Sequence, residues 1–315
     1  MARIPRRLAR GSSAEVAGYT GPLGEPVVDT TTLRLHLQDG ATPGGIAIPT
    51  KAEVDAAFVA VDDAIDAIVQ RLPRGYIAGL ILSNNAVDAV NDIDIGAGTA
   101  RDAGDGVNLV LASALTKRLD ANWFAGHGNG GLDTGSAADG TYHVHLIRRS
   151  DTGVVDALFS LSPTAPDLPP SYDAFRRLGS ILRESGTIAA FLQDGDWFWR
   201  TVPVLDVAAT NPGTAAVNRT LSVPAGIRTI AMMIAGGSNG SNNWFGLISS
   251  LDQADTVPSS TVFNCGVTSP TVVSFYSTLL VRTDTGRQVR SRISVSGASD
   301  LLRISTLGWI DRRTP

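Results

Sequence analysis

The sequence predicts a mainly β protein: a short N-terminal β module, a trimeric coiled-coil helix, and two antiparallel β domains of the sandwich or jelly-roll type. Three observations predict it. Gly, Thr, Ser and Asp are plentiful, whereas lysine and glutamate are scarce beside arginine and aspartate, and this composition favours turns and strands. One stretch alone has a clear helical period, and short β-patterned runs separated by turn residues fill most of the remainder.

Charge, cysteine content and hydropathy exclude several classes of protein. The formal net charge is −4 and the pI is about 5.5, so no general positive field is available to bind nucleic acid. The lone Cys265 excludes an intrachain disulfide framework. The basic start MARIPRRLAR is not followed by the apolar stretch of a secretory signal, and no apolar run approaches the ~20 residues of a membrane helix. We therefore expect a chain made in the cytoplasm that does not insert into a membrane.

The N-terminal region divides into a basic arm, residues 1–17, and a β module, residues 18–49. In the module Leu33, Leu35 and Leu37 alternate with polar residues and lead into a turn at Asp39-Gly40, which is typical of a short strand followed by a turn. So few apolar residues stand between its turns that the module cannot close a core alone. We expect it to pack against identical copies.

Residues 50–72 form the one strong helix of the prediction. Thr50 and Glu53 have the spacing of a capping box, and Pro73 ends the helix. The large apolar residues recur at the 3.5-residue period of a coiled coil. They are Val54, Phe58, Val61, Ile65, Ile68 and Leu72. Because β-branched residues occupy both seam positions, the pattern favours three or four strands, and we predict a homotrimer. The alternative is a single amphipathic helix that packs on its own domain.

Residues 74–205 are predicted to form a central β domain. The candidate strands are 76–83, 91–98, 106–113, 141–149, 154–161, 187–193 and 197–205. Strands so short and closely spaced predict an antiparallel sandwich or barrel. The proline-rich stretch 162–171 must be a loop, and 172–182 is the one segment compatible with a helix.

Residues 206–315 are predicted to form a second, C-terminal β domain. The candidate strands are 219–223, 227–235, 244–249, 271–282, 288–296 and 301–310. In 288–296 Val289, Ser291 and Ile293 alternate with Arg290 and Arg292, so one face of that strand should be solvated and rich in arginine.

The sequence contains no motif that predicts catalysis, and we expect a protein that is not an enzyme and needs no cofactor. The glycine-rich stretch 126–131 lacks the lysine and glycine spacing of a phosphate loop and is predicted to be a flexible loop. His143 and His145 lie two residues apart, so they share one face of a strand and are weak candidates for a metal site. The alternative is a histidine pair on a solvated face, without a metal.

A candidate ligand-binding loop precedes the strand at 244. Asn239, Asn242 and Asn243 can donate to and accept from sugar hydroxyls, and an exposed Trp244 ring can pack on the apolar side of a pyranose. The alternative is a simple turn followed by a core strand that contains Trp244. The tryptophans of the 197–205 strand, Trp197 and Trp199, share one face and are expected in the core or in an interface.

Two stretches carry a family resemblance. GEPVVDTTTLRLHLQDGATPGGIAIP (24–49) resembles the N-terminal module of phage tail-fibre and receptor-binding proteins related to the major tropism determinant, on the basis of its Glu-Pro start, its Asp-Gly turn and its Gly-Gly-Ile end. Segments 74–102, 115–123, 128–135 and 141–160 are similar to parts of phage and prophage tail proteins.

The resemblance implies a virion tail fibre or spike. Its N-terminal region would contact other virion proteins, the module and coiled coil would fix a homotrimer, and the C-terminal β domain would present a receptor-binding tip to host cell-surface polysaccharide. Two alternatives remain: a capsule depolymerase on the same trimeric scaffold, and a purely structural component of a baseplate or head fibre.

Overall fold

The computed structural model describes residues 8–69, 71–238, 244–267 and 274–313 and divides into two compact units, Met1–Arg71 and Leu72–Pro315. The first unit contains a sheet ordered β1-β2-β3-β4 and two helices. Its elements are β1 (Ala9–Gly11), α1 (Ser13–Gly18), β2 (Pro26–Asp29), β3 (Arg34–Leu37), β4 (Ile46–Ala47) and α2 (Lys51–Val69).

The β module begins before residue 18. The Ser12 side chain accepts from the Glu15 N–H and the Glu15 carboxylate accepts from the Ser12 N–H, so a capping box starts α1. β1 pairs in parallel with β2, and Val16 of α1 is buried, as is Val27 of β2. The basic segment that precedes residue 18 therefore supplies both a strand and a buried side chain to the module.

The long helix α2 starts as predicted. Glu53 Oε2 accepts the Thr50 N–H at 2.8 Å, and the Glu53 N–H donates to Thr50 Oγ1 at 3.3 Å, which confirms the capping box. Glu53 Oε2 also pairs with Arg34 Nη2 of β3 at 2.7 Å. Hydrogen bonds from the Thr50 backbone and the Thr50 hydroxyl, followed by the Arg34 charge, hold the pKa of Glu53 below its usual value. The side chains of residues 64–69, which include Ile65 and Ile68, lie outside the described part of the chain.

Among its described residues, the second unit contains strands and no helix. They are β5 (Ile77–Gly79), β6 (Leu82–Asn84), β7 (Asp92–Ile95), β8 (Gly98–Arg101), β9 (Asn108–Leu111), β10 (Leu115–Asn122), β11 (Asn129–Leu132), β12 (Gly140–Arg148), β13 (Val155–Ser160), β14 (Ala174–Glu184), β15 (Thr187–Ile188), β16 (Phe191–Asp194), β17 (Trp197–Thr210), β18 (Val217–Thr220), β19 (Ile230–Ser238), β20 (Trp244–Ser249), β21 (Cys265–Val267), β22 (Ser274–Arg282), β23 (Gln288–Ile293) and β24 (Leu301–Ile310).

These strands form four sheets that share one hydrophobic core. The sheet orders are β15-β14-β12-β13-β11-β10-β7-β6, β16-β17-β24-β19-β22, β18-β23-β20-β21 and β5-β8-β9. One continuous cluster of buried residues draws on all four. β17 crosses the domain boundary predicted between residues 205 and 206, and that boundary stays a prediction.

The mainly β prediction is confirmed, but the purely antiparallel arrangement is wrong. β11 pairs in parallel with both β10 and β13. β11 also includes half of the stretch predicted to be a flexible loop. A Cβ at Gly130 would lie 2.0 Å from Asn122 O, and one at Gly131 would lie 2.8 Å from the Phe159 ring, so the glycines allow neighbouring groups to approach closely.

The helix considered for residues 172–182 is wrong, because Ala174–Glu184 is the long strand β14, which pairs along β12. The predicted strand 76–83 is interrupted at Leu80, whose φ is +54°. Its two parts, β5 and β6, belong to different sheets. In both cases contacts with distant strands decide the conformation, and the local pattern does not contain them.

Candidate functional site

The residues that define the N-terminal motif are structural. The buried Gln38 accepts the Gly21 N–H through Oε1 at 2.9 Å. Asp39 Oδ1 accepts from the Ala41 and Thr42 N–H groups at 2.9 and 2.7 Å; hydrogen bonds from Thr42 are the main cause that lowers the pKa of Asp39 to about 2. His36 Nδ1 donates to the Gly44 carbonyl at 2.8 Å. The motif therefore fixes the loops that join β2, β3 and β4.

Gly45 is required by its backbone conformation and by its surroundings. Its φ is +60°, and a Cβ there would lie 2.7 Å from both Leu37 O and Gln38 Nε2. We expect Gly45→Ala to destabilise the N-terminal unit by roughly 1–3 kcal/mol, measured as faster hydrogen exchange across residues 9–48 of the full chain. Gly18→Ala is the matched control, because no atom lies within 4 Å of its Cβ position. Equal exchange in the two variants would contradict the prediction.

Many large apolar side chains of the N-terminal unit are exposed. On β3 the exposed residues are Leu35 and Leu37, whereas His36 between them is partly covered. Further exposed apolar side chains are Leu33, Ile46 and Ile48, together with Val54, Phe58, Val59 and Val61 of α2. Among the described residues of this unit, the large apolar side chains in the buried class are Val16 and Val27. An exposed apolar surface of this extent is typical of a protein–protein interface.

His143 and His145 share a face of β12, but that face is not solvated. Both side chains are almost fully buried, and the solvated-face alternative is wrong because neighbouring loops cover the strand. His143 Nδ1 lies 2.9 Å from Ser180 Oγ, and His145 Nε2 donates to the Ser162 carbonyl at 3.0 Å. Within the residues that the structure describes, no group of three or more His, Cys, Asp or Glu side chains could hold a metal ion.

Burial gives the histidine pair a defined effect on stability. It is the main cause that lowers the pKa of His143 to about 3 and that of His145 to about 4, and the charge of Arg177 lowers both further. The unfolded chain, whose histidines protonate near pH ~6.5, therefore binds protons first as the pH falls. The contribution of the two neutral histidines to the free energy of unfolding is therefore complete above about pH 6.5. It decreases as the pH falls from there towards the pKa values of the folded state, about 4 for His145 and about 3 for His143.

For His145 the free energy of unfolding decreases by about 3 kcal/mol over the whole range from about pH 6.5 to below about pH 4. It is measured by urea unfolding at about pH 7 and about pH 4.5. His145→Gln, which does not titrate in this range, should lose less stability between the two pH values than the wild type. If both proteins lose the same amount, the buried histidine is not the cause.

The predicted sugar-binding loop lies only partly within the described residues. Asn239, Asn242 and Asn243 lie outside them. Trp244 begins β20 and is 1% exposed, and its ring lies against the backbones of Gly237 and Gly246. The proposed stacking of a sugar on Trp244 is therefore wrong, because its ring has no free face; it is a core residue, as in the alternative interpretation.

A pair of exposed tryptophans lies on β17. Trp197 and Trp199 are 38% and 41% exposed, and their rings are nearly parallel, with centroids 5.9 Å apart. Between them Phe198 points inward and stacks on Trp309 at 5.5 Å. The expectation that the two tryptophans lie in the core of this chain is thus wrong, whereas a place in an interface remains open.

Two exposed leucines extend this surface across the sheet. Leu192 of β16 is paired with Trp199. Trp199 is also paired with Gly308 of β24, and Gly308 is paired with Met232 of β19. Met232 is in turn paired with Leu280 of β22, so Leu280 lies on the same face of the sheet as Trp199. We call Leu192, Trp197, Trp199 and Leu280 the tryptophan face. Sequence alternation correctly put both tryptophans on one side of β17, but it gave no sign of which side the core covers.

Comparison with known proteins identifies the N-terminal unit. Residues 7–42 match the family model of the Major tropism determinant N-terminal domain. This segment is similar to the N-terminal domain of the major tropism determinant. The match confirms the resemblance over residues 24–42 and extends it back through β1 and α1, in agreement with the packing of Val16 in the module. Residues 43–49, which include the Gly-Gly-Ile end, lie outside the match. No curated protein matches the chain.

Solved structures of the major tropism determinant resemble the chain weakly. The P3c and I1 variants are 16% and 17% identical to it, with TM-scores of 0.23 in both cases. The P3c match covers 75% of this chain and 52% of the other, and the I1 match covers 70% and 56%. The chain thus spans about half the length of these tropism determinant structures. At such TM-scores the superpositions support no inference about the second unit.

The structure also bears on membrane association. Within the described ranges, no helix combines the length and the apolar character that crossing a membrane requires.

Proposed function

We propose that the protein is a fibre or spike component of a phage or phage-like virion and attaches the particle to polysaccharide on the host cell surface. The observation that carries the proposal is the match of residues 7–42 to the N-terminal domain of the major tropism determinant, a protein named for setting host range. The module is the part of the chain for which a family relationship is found. Activity, partners and ligand of the whole chain are inferred from it and from the surfaces described above.

The functional form is a homotrimer built on the N-terminal unit. The exposed leucines of β3 and the α2 seam residues Val54, Phe58 and Val61 need a cover, and a module with so small a core gains stability when copies share one. Three copies are favoured because the seam carries β-branched residues at both positions. Two further copies of this chain are therefore the occupants of the apolar surface, and Leu72 ends the seam.

The polysaccharide is bound by stacking on the tryptophan face. Tryptophan offers a large, rigid apolar surface with a polar N–H at its edge. It is also enriched among the few interface residues that supply most of the binding energy. The asparagine-rich loop at 239–243 stays a second candidate contact. Three weak sites on each fibre, multiplied over several fibres, would give firm attachment.

Attachment involves no covalent chemistry in this proposal, and contacts with other virion proteins go through the N-terminal region. Incubation with isolated host capsule should then release no new reducing ends. Release of oligosaccharides would instead favour the depolymerase.

Adsorption competition tests the proposed function directly. Purified full-length protein should bind host cells and reduce adsorption of the particle in proportion to its concentration. Binding should disappear from host mutants that lack surface polysaccharide. A purified trimer that neither binds cells nor competes with the particle would reject the receptor role and favour a structural virion component.

A further inference from the structure

The second unit contains a cavity with an unusual concentration of arginine. The cavity has a volume of about 220 Å³ and is lined by Ala103, Pro163, Thr164, Phe175, Arg176, Arg177, Ile227 and Arg313. It lies beside the histidine pair, since His145 packs edge-on against Phe175 with ring centroids 5.7 Å apart. None of the residues that line the cavity belongs to the N-terminal module or to the tryptophan face.

The three arginines are not equally neutralised. Arg177 Nη1 pairs with Asp311 at 2.6 Å, and Arg313 Nε pairs with Asp196 at 2.9 Å. Arg176 is 3% exposed, and its Nη2 donates to the carbonyls of Gly75 and Arg313. Among the described residues, no carboxylate lies within ion-pair distance of Arg176. Within the described part of the chain this buried guanidinium therefore has no direct counter-charge, an arrangement that is costly in a protein interior.

Unused hydrogen-bond donors accompany this charge. Arg176 Nε and Arg313 Nη1 are buried and have no hydrogen-bond partner among the described residues. Burial lowers the pKa of Arg176, and the positive charges of Arg177 and Arg313 lower it further, with the field of Asp102 acting in the opposite direction. Guanidinium groups nevertheless stay protonated in proteins. An anion in the cavity would supply negative charge close to these guanidinium groups.

The walls and the volume define the anion further. Pro163, Phe175 and Ile227 add apolar groups to a lining that also contains the arginines. A hydrated inorganic ion would leave those apolar groups unused. At 220 Å³ the cavity is smaller than the roughly 300 Å³ at which sites for drug-sized molecules begin. The occupant should therefore combine an oxyanion with a compact C–H surface.

We propose that the cavity bounded by Arg176, Arg177 and Arg313 binds the carboxylate of an acidic monosaccharide. The carboxylate lies against the guanidinium groups, the C–H face of the ring packs on Phe175 and Ile227, and Thr164 at the rim is available to a ring hydroxyl. The choice of a sugar rests on the proposed attachment function, because uronic acids are a common source of carboxylates in surface polysaccharides. The site would make the protein selective for acidic polysaccharides.

The test uses full-length protein and three probes: glucuronate, glucose and inorganic phosphate, each titrated calorimetrically at constant ionic strength. We expect glucuronate to bind with a dissociation constant on the order of 1 mM and to raise the melting temperature. Glucose should not bind, and phosphate should bind more weakly than glucuronate. No binding of glucuronate, or phosphate binding as tight as glucuronate binding, overturns the assignment.

Variants locate the site. Arg176→Gln should weaken glucuronate binding by about tenfold or more. Arg200→Gln is the matched control, because Arg200 is a covered arginine that pairs with Glu184 and does not line the cavity; it should bind like the wild type. Thr164→Trp fills the exposed rim and should also abolish binding, which keeps the test available if Arg176→Gln does not fold. Unchanged binding in Thr164→Trp overturns the proposal.

Cell adsorption separates this inference from the proposed function. Protein that adsorbs to host cells but fails to bind glucuronate leaves attachment intact and removes the acidic-sugar site. Protein that binds glucuronate but does not adsorb leaves the site intact and removes attachment.

Discussion

Val61→Asp should convert the proposed trimer into monomers, because in that assembly it would place three carboxylates in the apolar seam of α2. Each copy loses the burial of one valine and must desolvate a charge, which together cost roughly 5 kcal/mol or more per trimer. The trimer should then be weakened by at least about a thousandfold. Light scattering of the full-length variant at micromolar concentration measures this as a fall from three times the 32.9 kDa chain mass to the mass of one chain.

Val59→Asp is the control for that experiment. Val59 and Val61 are 59% and 54% exposed in the single chain and stand on the same helix, but Val59 lies off the heptad seam. The same substitution at similar exposure should therefore leave the trimer intact. A wild-type chain that scatters as a monomer would reject the coiled coil, and equal mass in the two variants would show that α2 does not form the interface.

Removing both tryptophans of the tryptophan face should abolish adsorption to host cells. Truncation of a central interface tryptophan costs about 2 kcal/mol, so the variant Trp197→Ala with Trp199→Ala should lose on the order of a hundredfold or more in affinity at each site. Under the proposed multivalent attachment, the loss for the whole trimer should be larger. Binding of fluorescently labelled protein to host cells, titrated to saturation, measures it.

Phe124→Ala is the control for the tryptophan variant, since Phe124 is an exposed aromatic side chain outside the tryptophan face. It should adsorb normally. Both proteins should keep the wild-type melting temperature within a few degrees, because exposed rings contribute little to the core. Normal adsorption of the double tryptophan variant would exclude the tryptophan face as the receptor-binding surface and would shift attention to the loop at 239–243.

The parts of the fold that depend on neighbours in sequence were predicted well. The α2 capping box needs only Thr50 and Glu53, three residues apart, and both of its hydrogen bonds form. The bounds of β20 and β24 agree with the predicted strands 244–249 and 301–310. Local hydrogen bonding and strict alternation determine these elements, and both can be read from a short window of sequence.

The parts that depend on distant residues were missed. β14 contains Arg176 and Arg177, whose partners include Arg313 and Asp311 at the far end of the chain, and nothing near residue 176 indicates them. For the same reason the arginine cavity had no sequence signal beyond two adjacent arginines. The stretch 126–131 predicts a loop because glycine is typical of loops. Half of that stretch lies in β11, where the glycines permit close approach of neighbouring groups.

Local patterns in the chain specify the mainly β class, the N-terminal module, the position of α2 and the side-by-side placement of the two histidines and of the two β17 tryptophans. Long-range packing sets which of these faces is covered. The histidines and Trp244 are buried, whereas Trp197 and Trp199 are exposed, as are the described seam residues Val54, Phe58 and Val61 of α2. Alternation along a strand fixes which side chains share a face. Which face meets water depends on the sheets and loops that pack against it, and those come from residues far away in the chain.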